Sequence, residues 1–193
     1  DLSTSVECYF ALKLSGYSEE SLIMSKAKTF IIEKGGIPKS RVFTKIWLSL
    51  FGQWDWRGTP NMLPELIFIP KAWEFSIYKF SSWARPTLVP LLILLANKPI
   101  KELARDGIID ELYPITKALT DYSLPKPNSR FGWKNILYRL DQLVGLYQRV
   151  PVHPFRRLAE KKLVDWILAH QEKDGLWAGI QPATVYSLIA LYC

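Results

Sequence analysis

Prolines and glycines set the tightest limit on what this chain can fold into, because they cut a helix-periodic sequence into short pieces. There are 13 Pro and 10 Gly among 193 residues. Between them apolar residues recur at helical spacing, as in Val6, Tyr9, Phe10, Leu12 and Leu14. The pattern predicts a helix from about Ser3 to Ser15, a second from Glu19 to Glu33 ended by Gly35 and Gly36, and a third from Lys39 to Phe51 ended by Gly52. Pro60, Pro64 and Pro70 exclude a continuous helix between Gly52 and Lys71, where Trp54 and Trp56 sit among turn formers in what reads as an ordered aromatic loop. Ile77 to Leu95 is helical again, kinked or split by Pro86 and Pro90. Short helices are expected within Lys98–Tyr113 and Thr116–Tyr122, ahead of a second breaker stretch, Pro125–Ser129. The irregular segments thus lie near 52–73 and 122–130. Trp133–Arg149, a segment opened by Pro154 and running to Gln171, and Ala183 to the end complete the helices. No run alternates as a strand must, so the fold class is all-α.

Composition narrows the function. A net charge of +7 with 49% hydrophobic residues excludes a disordered chain. Eight Trp, nine Tyr and nine Phe exceed the needs of one small core, since each ring buries about 150–250 Å², so some rings must line something else. Cys8 and Cys193 make no disulfide framework, no Cys-x-x-Cys pair is present, and a reducing compartment is the default. Leu88–Ala96 is interrupted by Pro90 and falls far short of the roughly 20 residues of a membrane-spanning helix. Beginning at Asp1 and closing at Cys193 inside a helical pattern, the sequence reads as an excerpt from a longer protein. It holds no P-loop, dinucleotide fingerprint, zinc-helix motif or nucleophile elbow, and His153 and His170 have no second ligand nearby, so no metal site is expected. Arg156, Arg157, Lys161 and Lys162 form a basic stripe that suits a solvated face or an anionic membrane surface better than nucleic acid.

Faint internal repetition, Val6–Leu12 against Val185–Leu191, favours a ring or solenoid of helical hairpins over a four-helix bundle. Residues 171–177 read QEKDGLW: Gln171 can bond backbone groups of the next unit, Gly175 permits a tight turn and Trp177 stacks back. This stapling device resembles the QW motif of the class II triterpene cyclases, the squalene-hopene and oxidosqualene cyclases, although Lys162 stands where Gly or Ala is usual. The likeness extends along the chain. DLSTSVECY (1–9) is similar to the family's Asp-Leu-x-Thr-Thr-x-Glu-Ala-Tyr opening, and KSRVFTKIWL (39–48) to its Lys-Ser-Arg-Val-Phe-Thr-Arg segment; SWAR (82–85), VHPFRR (152–157) and GIQP (179–182) also resemble it.

The resemblance implies an α/α-barrel (toroid) of helical hairpins, with residues 1–193 a partial N-terminal or inserted barrel region of a two-barrel enzyme. It implies proton-initiated cyclisation of squalene or a related linear polyprenyl through carbocations, stabilised by ring faces that carry negative potential without trapping the cation. No cofactor is implied. Phe80, Trp83, Leu88, Ile180 and Pro182 would line the channel or cavity, with ordinary packing as the plain alternative. Glu7, Arg41, Trp47, Gln181 and Tyr186 would orient the water that meets the last cation; alternatively Glu7 and Arg41 form a structural ion pair. The family's proton donor sits in an Asp-x-Asp-Asp motif that this sequence lacks, so the isolated chain should not initiate the reaction. Departures at Pro86 and at Ala183-Thr184 bear on cavity shape. A monotopic, membrane-peripheral location at the cytoplasmic face of a bacterial membrane and a homodimer are further expectations. A noncatalytic helical-repeat module binding a protein or prenyl partner is the reading from another class.

Overall fold

In the first sixty residues three helices end in the same way. The helices are α1 (Leu2–Leu14), α2 (Leu22–Glu33) and α3 (Val42–Leu50). After each, a glycine takes a left-handed conformation (Gly16 φ 85°, Gly35 φ 95°, Gly52 φ 67°), and the next N–H reaches back to close a Schellman turn: Tyr17 to Leu12 (3.1 Å), Gly36 to Ile31 (2.8 Å), Gln53 to Leu48 (2.9 Å). Asp1 and Ser21 cap the starts of α1 and α2 by accepting from Thr4 and Met24 N–H groups. Gly36 carries a further constraint, because a Cβ there would stand 2.4 Å from the Leu112 carbonyl oxygen.

Residues 1–74, 76–124 and 132–193 are described by the computed structural model; the expected breaker stretch Pro125–Ser129 lies outside them. Among the described residues there are seven α-helices, seven 3₁₀ turns and no strand, in keeping with the all-α expectation. The chain forms two compact units, Asp1–Pro60 with Ile100–Pro125, and Asn61–Pro99 with Lys126–Cys193.

The first unit packs Val6, Tyr9, Phe10, Met24, Ile31 and Leu48 with Ile109, Leu112 and Tyr113 of the returning segment. That segment differs from expectation: Lys98–Tyr113 and Thr116–Tyr122 hold 3₁₀ turns at Arg105–Gly107, Asp110–Leu112 and Lys117–Leu119 rather than α-helices. Buried Gln53 accepts the Ile109 N–H at its side chain (3.0 Å) and the Tyr113 hydroxyl at its carbonyl, while Lys117 donates to the Gly52 carbonyl (2.9 Å). These non-local bonds hold the segment as turns. Trp54 stacks on Tyr113 and meets Tyr122 edge-on, with the Lys45 ammonium 4.7 Å from its ring.

A second buried polar group ties α1 to its surroundings. Lys13 Nζ donates to Glu19 (2.6 Å) and Glu111 (2.5 Å), and the Tyr9 hydroxyl donates to Glu111 (2.9 Å). Burial, reinforced by Glu111, pushes the Tyr9 hydroxyl far above the ordinary phenol range, and burial does the same to Tyr113. Burial works against the Lys13 charge, but its carboxylate partners outweigh this and hold its ammonium above its usual range. Above about pH 10 an unfolded tyrosine loses its proton while the folded one keeps it, so the folded state binds more protons and stability falls as pH rises; the Lys13 contribution, complete below the unfolded lysine value, is lost in the same direction. The urea midpoint should therefore drop between pH 8 and pH 10.5, and drop less in Tyr113→Phe. A flat midpoint over that range would contradict these placements.

The second unit is built on α4 (Arg85–Asn97), α5 (Trp133–Gln148), α6 (Arg156–Ala169) and α7 (Gln181–Tyr192). Ile77–Leu95 is not one kinked helix. A 3₁₀ turn at Ile77–Lys79 is separated from α4, whose first turn accommodates Pro86 and whose interior contains Pro90. Val89 and Leu91 to Leu95 are buried, and α4 packs chiefly on α7 and α6. The 3₁₀ turn Pro64–Phe68 lies on α6, where Glu65 accepts from the Arg156 Nε at 2.9 Å.

Candidate functional site

In the first unit the site residues gather at the start of α3. Arg41 is the residue before its first turn and Thr44 its third residue. Three α1-side groups meet them: the Asp1 carboxylate pairs with the Arg41 guanidinium, Ser3 Oγ accepts the Arg41 N–H (2.9 Å), and Glu7 Oε1 accepts from Thr44 Oγ1 (2.6 Å). Carboxylates suit this place because the N-terminal turn of a helix carries unpaired N–H groups and a partial positive charge. Arg41 is thus engaged by Asp1, and the structure does not show the ion pair with Glu7 that the sequence left open. Trp47 is half-buried one turn further along α3, edge-on to Phe51 with ring centroids 5.8 Å apart.

In the second unit Ile180, Gln181 and Pro182 stand exposed at the start of α7, and Tyr186 is buried one turn later. Phe80 and Trp83 precede α4 and are 49% and 70% exposed, and Leu88 is half-buried on α4. Glu7, Arg41 and Trp47 belong to one unit and Gln181 and Tyr186 to the other.

The turn between α6 and α7 shows how Gln171, Gly175 and Trp177 act. Trp177 is 1% exposed; its indole N–H donates to the Ile167 carbonyl near the end of α6 (2.7 Å), and its backbone N–H donates to Thr184 Oγ1 on α7 (3.3 Å). Gly175 takes φ 85°. Gln171 Nε2 donates to the Gly175 carbonyl (3.0 Å), inside the turn rather than to a following unit. The ring fastens two helix ends, and the amide closes the turn.

The sequence is similar to known proteins. Residues 1–193 match the squalene-hopene cyclase N-terminal domain. The chain belongs to that family. It is 42% identical over 191 residues to a squalene-hopene cyclase of Alicyclobacillus acidocaldarius, covering 99% of this chain and 30% of that protein. It is 38% identical over 189 residues to a squalene hopane cyclase of Aspergillus fumigatus (94% and 25%), and 34% identical over 191 residues to a dammaradiene synthase of Dryopteris crassirhizoma (98% and 27%). The chain therefore spans less than a third of the length of these relatives.

Within this squalene-hopene cyclase domain, sequence reasoning missed Asp1, Ser3 and Thr44 as partners of the chosen residues. All three lie in the segments that carry the family likeness, DLSTSVECY and KSRVFTKIWL, so position in those segments was the available signal. Among the described residues no cluster of three or more His, Cys, Asp or Glu could hold a metal ion, and no helix is long and apolar enough to cross a membrane.

Proposed function

We propose that this chain is the N-terminal part of a squalene-hopene-type cyclase, which converts squalene or a related linear polyprenyl into a polycyclic triterpene by proton-initiated carbocation cyclisation. The match over residues 1–193 to the family's N-terminal domain carries this reading. In it, Phe80, Trp83, Leu88, Ile180 and Pro182 supply cavity or channel wall, where ring faces stabilise passing positive charge without bonding to it. Glu7, Arg41, Trp47, Gln181 and Tyr186 order the water that takes the final proton or adds to the last cation: Glu7 accepts, Arg41 and Trp47 donate, and Gln181 and Tyr186 can each do both. The acid that starts the cascade comes from outside residues 1–193, which hold no Asp-x-Asp-Asp sequence. A noncatalytic repeat module is not favoured, since the relatives named are a dammaradiene synthase and cyclases.

The apolar substrate is drawn from a membrane that the protein meets from one side, at the cytoplasmic face. Supporting this, α5 has no buried residue among its 16, and Trp133, Ile136, Leu140 and Leu143 are 40–73% exposed along one stripe. A net charge of +7 favours an anionic surface. Incubating the complete polypeptide with squalene should yield polycyclic triterpenes by gas chromatography and mass spectrometry. A folded complete polypeptide that leaves squalene and shorter polyprenyls unchanged would overturn the reading.

A further inference from the structure

Thr44 stands third in α3, where the carbonyl four residues earlier, that of Ser40, precedes the helix, so its hydroxyl turns to a partner on another element. Hydroxyls on helices commonly turn back onto the carbonyl four residues earlier. Thr29 does so to Ser25 (3.0 Å) and Ser49 to Lys45 (2.8 Å). Thr44, 2% exposed, instead donates across to Oε1 of Glu7 on α1 at 2.6 Å. A threonine hydroxyl has one proton to give, so this donor is committed to the carboxylate. Its branched, buried side chain has little rotational freedom, and the bond fixes a carboxylate whose own residue is exposed. Arg41 does not perform this task, because its guanidinium is held by Asp1.

A carboxylate offers roughly four acceptor sites, and Thr44 occupies one of those on Oε1, so most remain open in a fixed orientation. We propose that Thr44 is a positioning residue for Glu7, aiming the open carboxylate sites at the water that ends the cascade. This rests on the water-ordering role proposed above for Glu7. Without the hydroxyl the carboxylate keeps its charge and loses its direction, so the split between water addition and proton loss changes while the fold is retained.

The test uses the complete cyclase with squalene and reads the ratio of hydroxylated to unsaturated polycycles by gas chromatography, with melting temperature as the check on folding. Thr44→Val should change that ratio about three- to tenfold in the same direction as Glu7→Gln, and Thr44→Ser, which restores the donor, should return it close to the parent value. Thr44→Ala also leaves the Glu7 side chain intact while removing the donor and should match Thr44→Val; paired with Thr44→Ser it decides the matter if Thr44→Val does not fold. A parent-like ratio in folded Thr44→Val or Thr44→Ala, while Glu7→Gln changes it, overturns the role of Thr44. A parent-like ratio in Glu7→Gln overturns the reading of Glu7 itself, and the role of Thr44 with it.

Discussion

Trp177→Ala should lower the free energy of unfolding by about 4 kcal/mol, the range found when a large buried aromatic is truncated. The ring is 1% exposed, so a cavity of nearly its full volume would open between the end of α6 and the start of α7. Part of that loss comes from the Ile167 carbonyl, which receives the indole N–H at 2.7 Å and is left without this donor in the variant. Trp177→Phe keeps most of the apolar contact and loses the donor, so it should fall between the two. Trp83→Ala is the contrast. At 70% exposure it removes little buried area, and its stability change should stay within about 0.5 kcal/mol. Under the proposed function its effect falls on the reaction: if Trp83 lines the cavity, its loss in the complete polypeptide should redistribute products toward incompletely cyclised polycycles. Urea denaturation and product analysis on the same preparations separate the two tryptophans. Equal stability losses would show that Trp83 is a packing residue, and unchanged products would remove it from the cavity wall.

The same pair shows what the sequence could convey about this fold. At Trp177 the tight turn was legible because Gly175 is a local signal, whereas the Gln171 amide, expected to reach the next unit, closes onto the Gly175 carbonyl within the turn. The ends of α1, α2 and α3 were legible for the same reason, since glycine adopts positive φ at little cost where other residues do not. Lys98–Tyr122 was misread as helical because its conformation is decided 56 residues away, by Gln53 bonding the Ile109 N–H, and no local period encodes that bond. The candidate site was readable only as residue types. Glu7 and Arg41 look like natural partners, but Asp1 at the α1 N-cap takes the guanidinium and leaves Glu7 to a buried threonine. Choosing among several carboxylates for one cation requires the helix crossing, which spacing along the chain does not supply.

The largest effect expected outside the protein's interior concerns α5. Paired substitution Ile136→Glu and Leu143→Glu should weaken partition onto anionic phospholipid vesicles by about 100-fold, taking about 1.5 kcal/mol for each apolar side chain removed from the lipid boundary. Seven residues apart, the two lie on one stripe of the helix and are 48% and 62% exposed, so neither supports the core. The helix is held elsewhere on its circumference. Asp141 accepts from the backbone N–H (2.7 Å) and side-chain amide (3.0 Å) of Asn61, Gln148 donates to the Met62 carbonyl (2.8 Å), and Gly145 lies between them, where a Cβ would press to 3.1 Å on the Asn61 amide. Residues 141, 145 and 148 recur at i, i+4 and i+7, which turns the apolar stripe away from this polar attachment. A helix held by hydrogen bonds on one side and apolar on another retains its place when the free side changes, so the variant should keep its melting temperature and its turnover of detergent-dispersed squalene. Vesicle sedimentation then tests the proposed membrane contact alone. Undiminished partition in the folded variant would move the membrane contact off α5, and a large loss of melting temperature would show that the stripe packs within the protein.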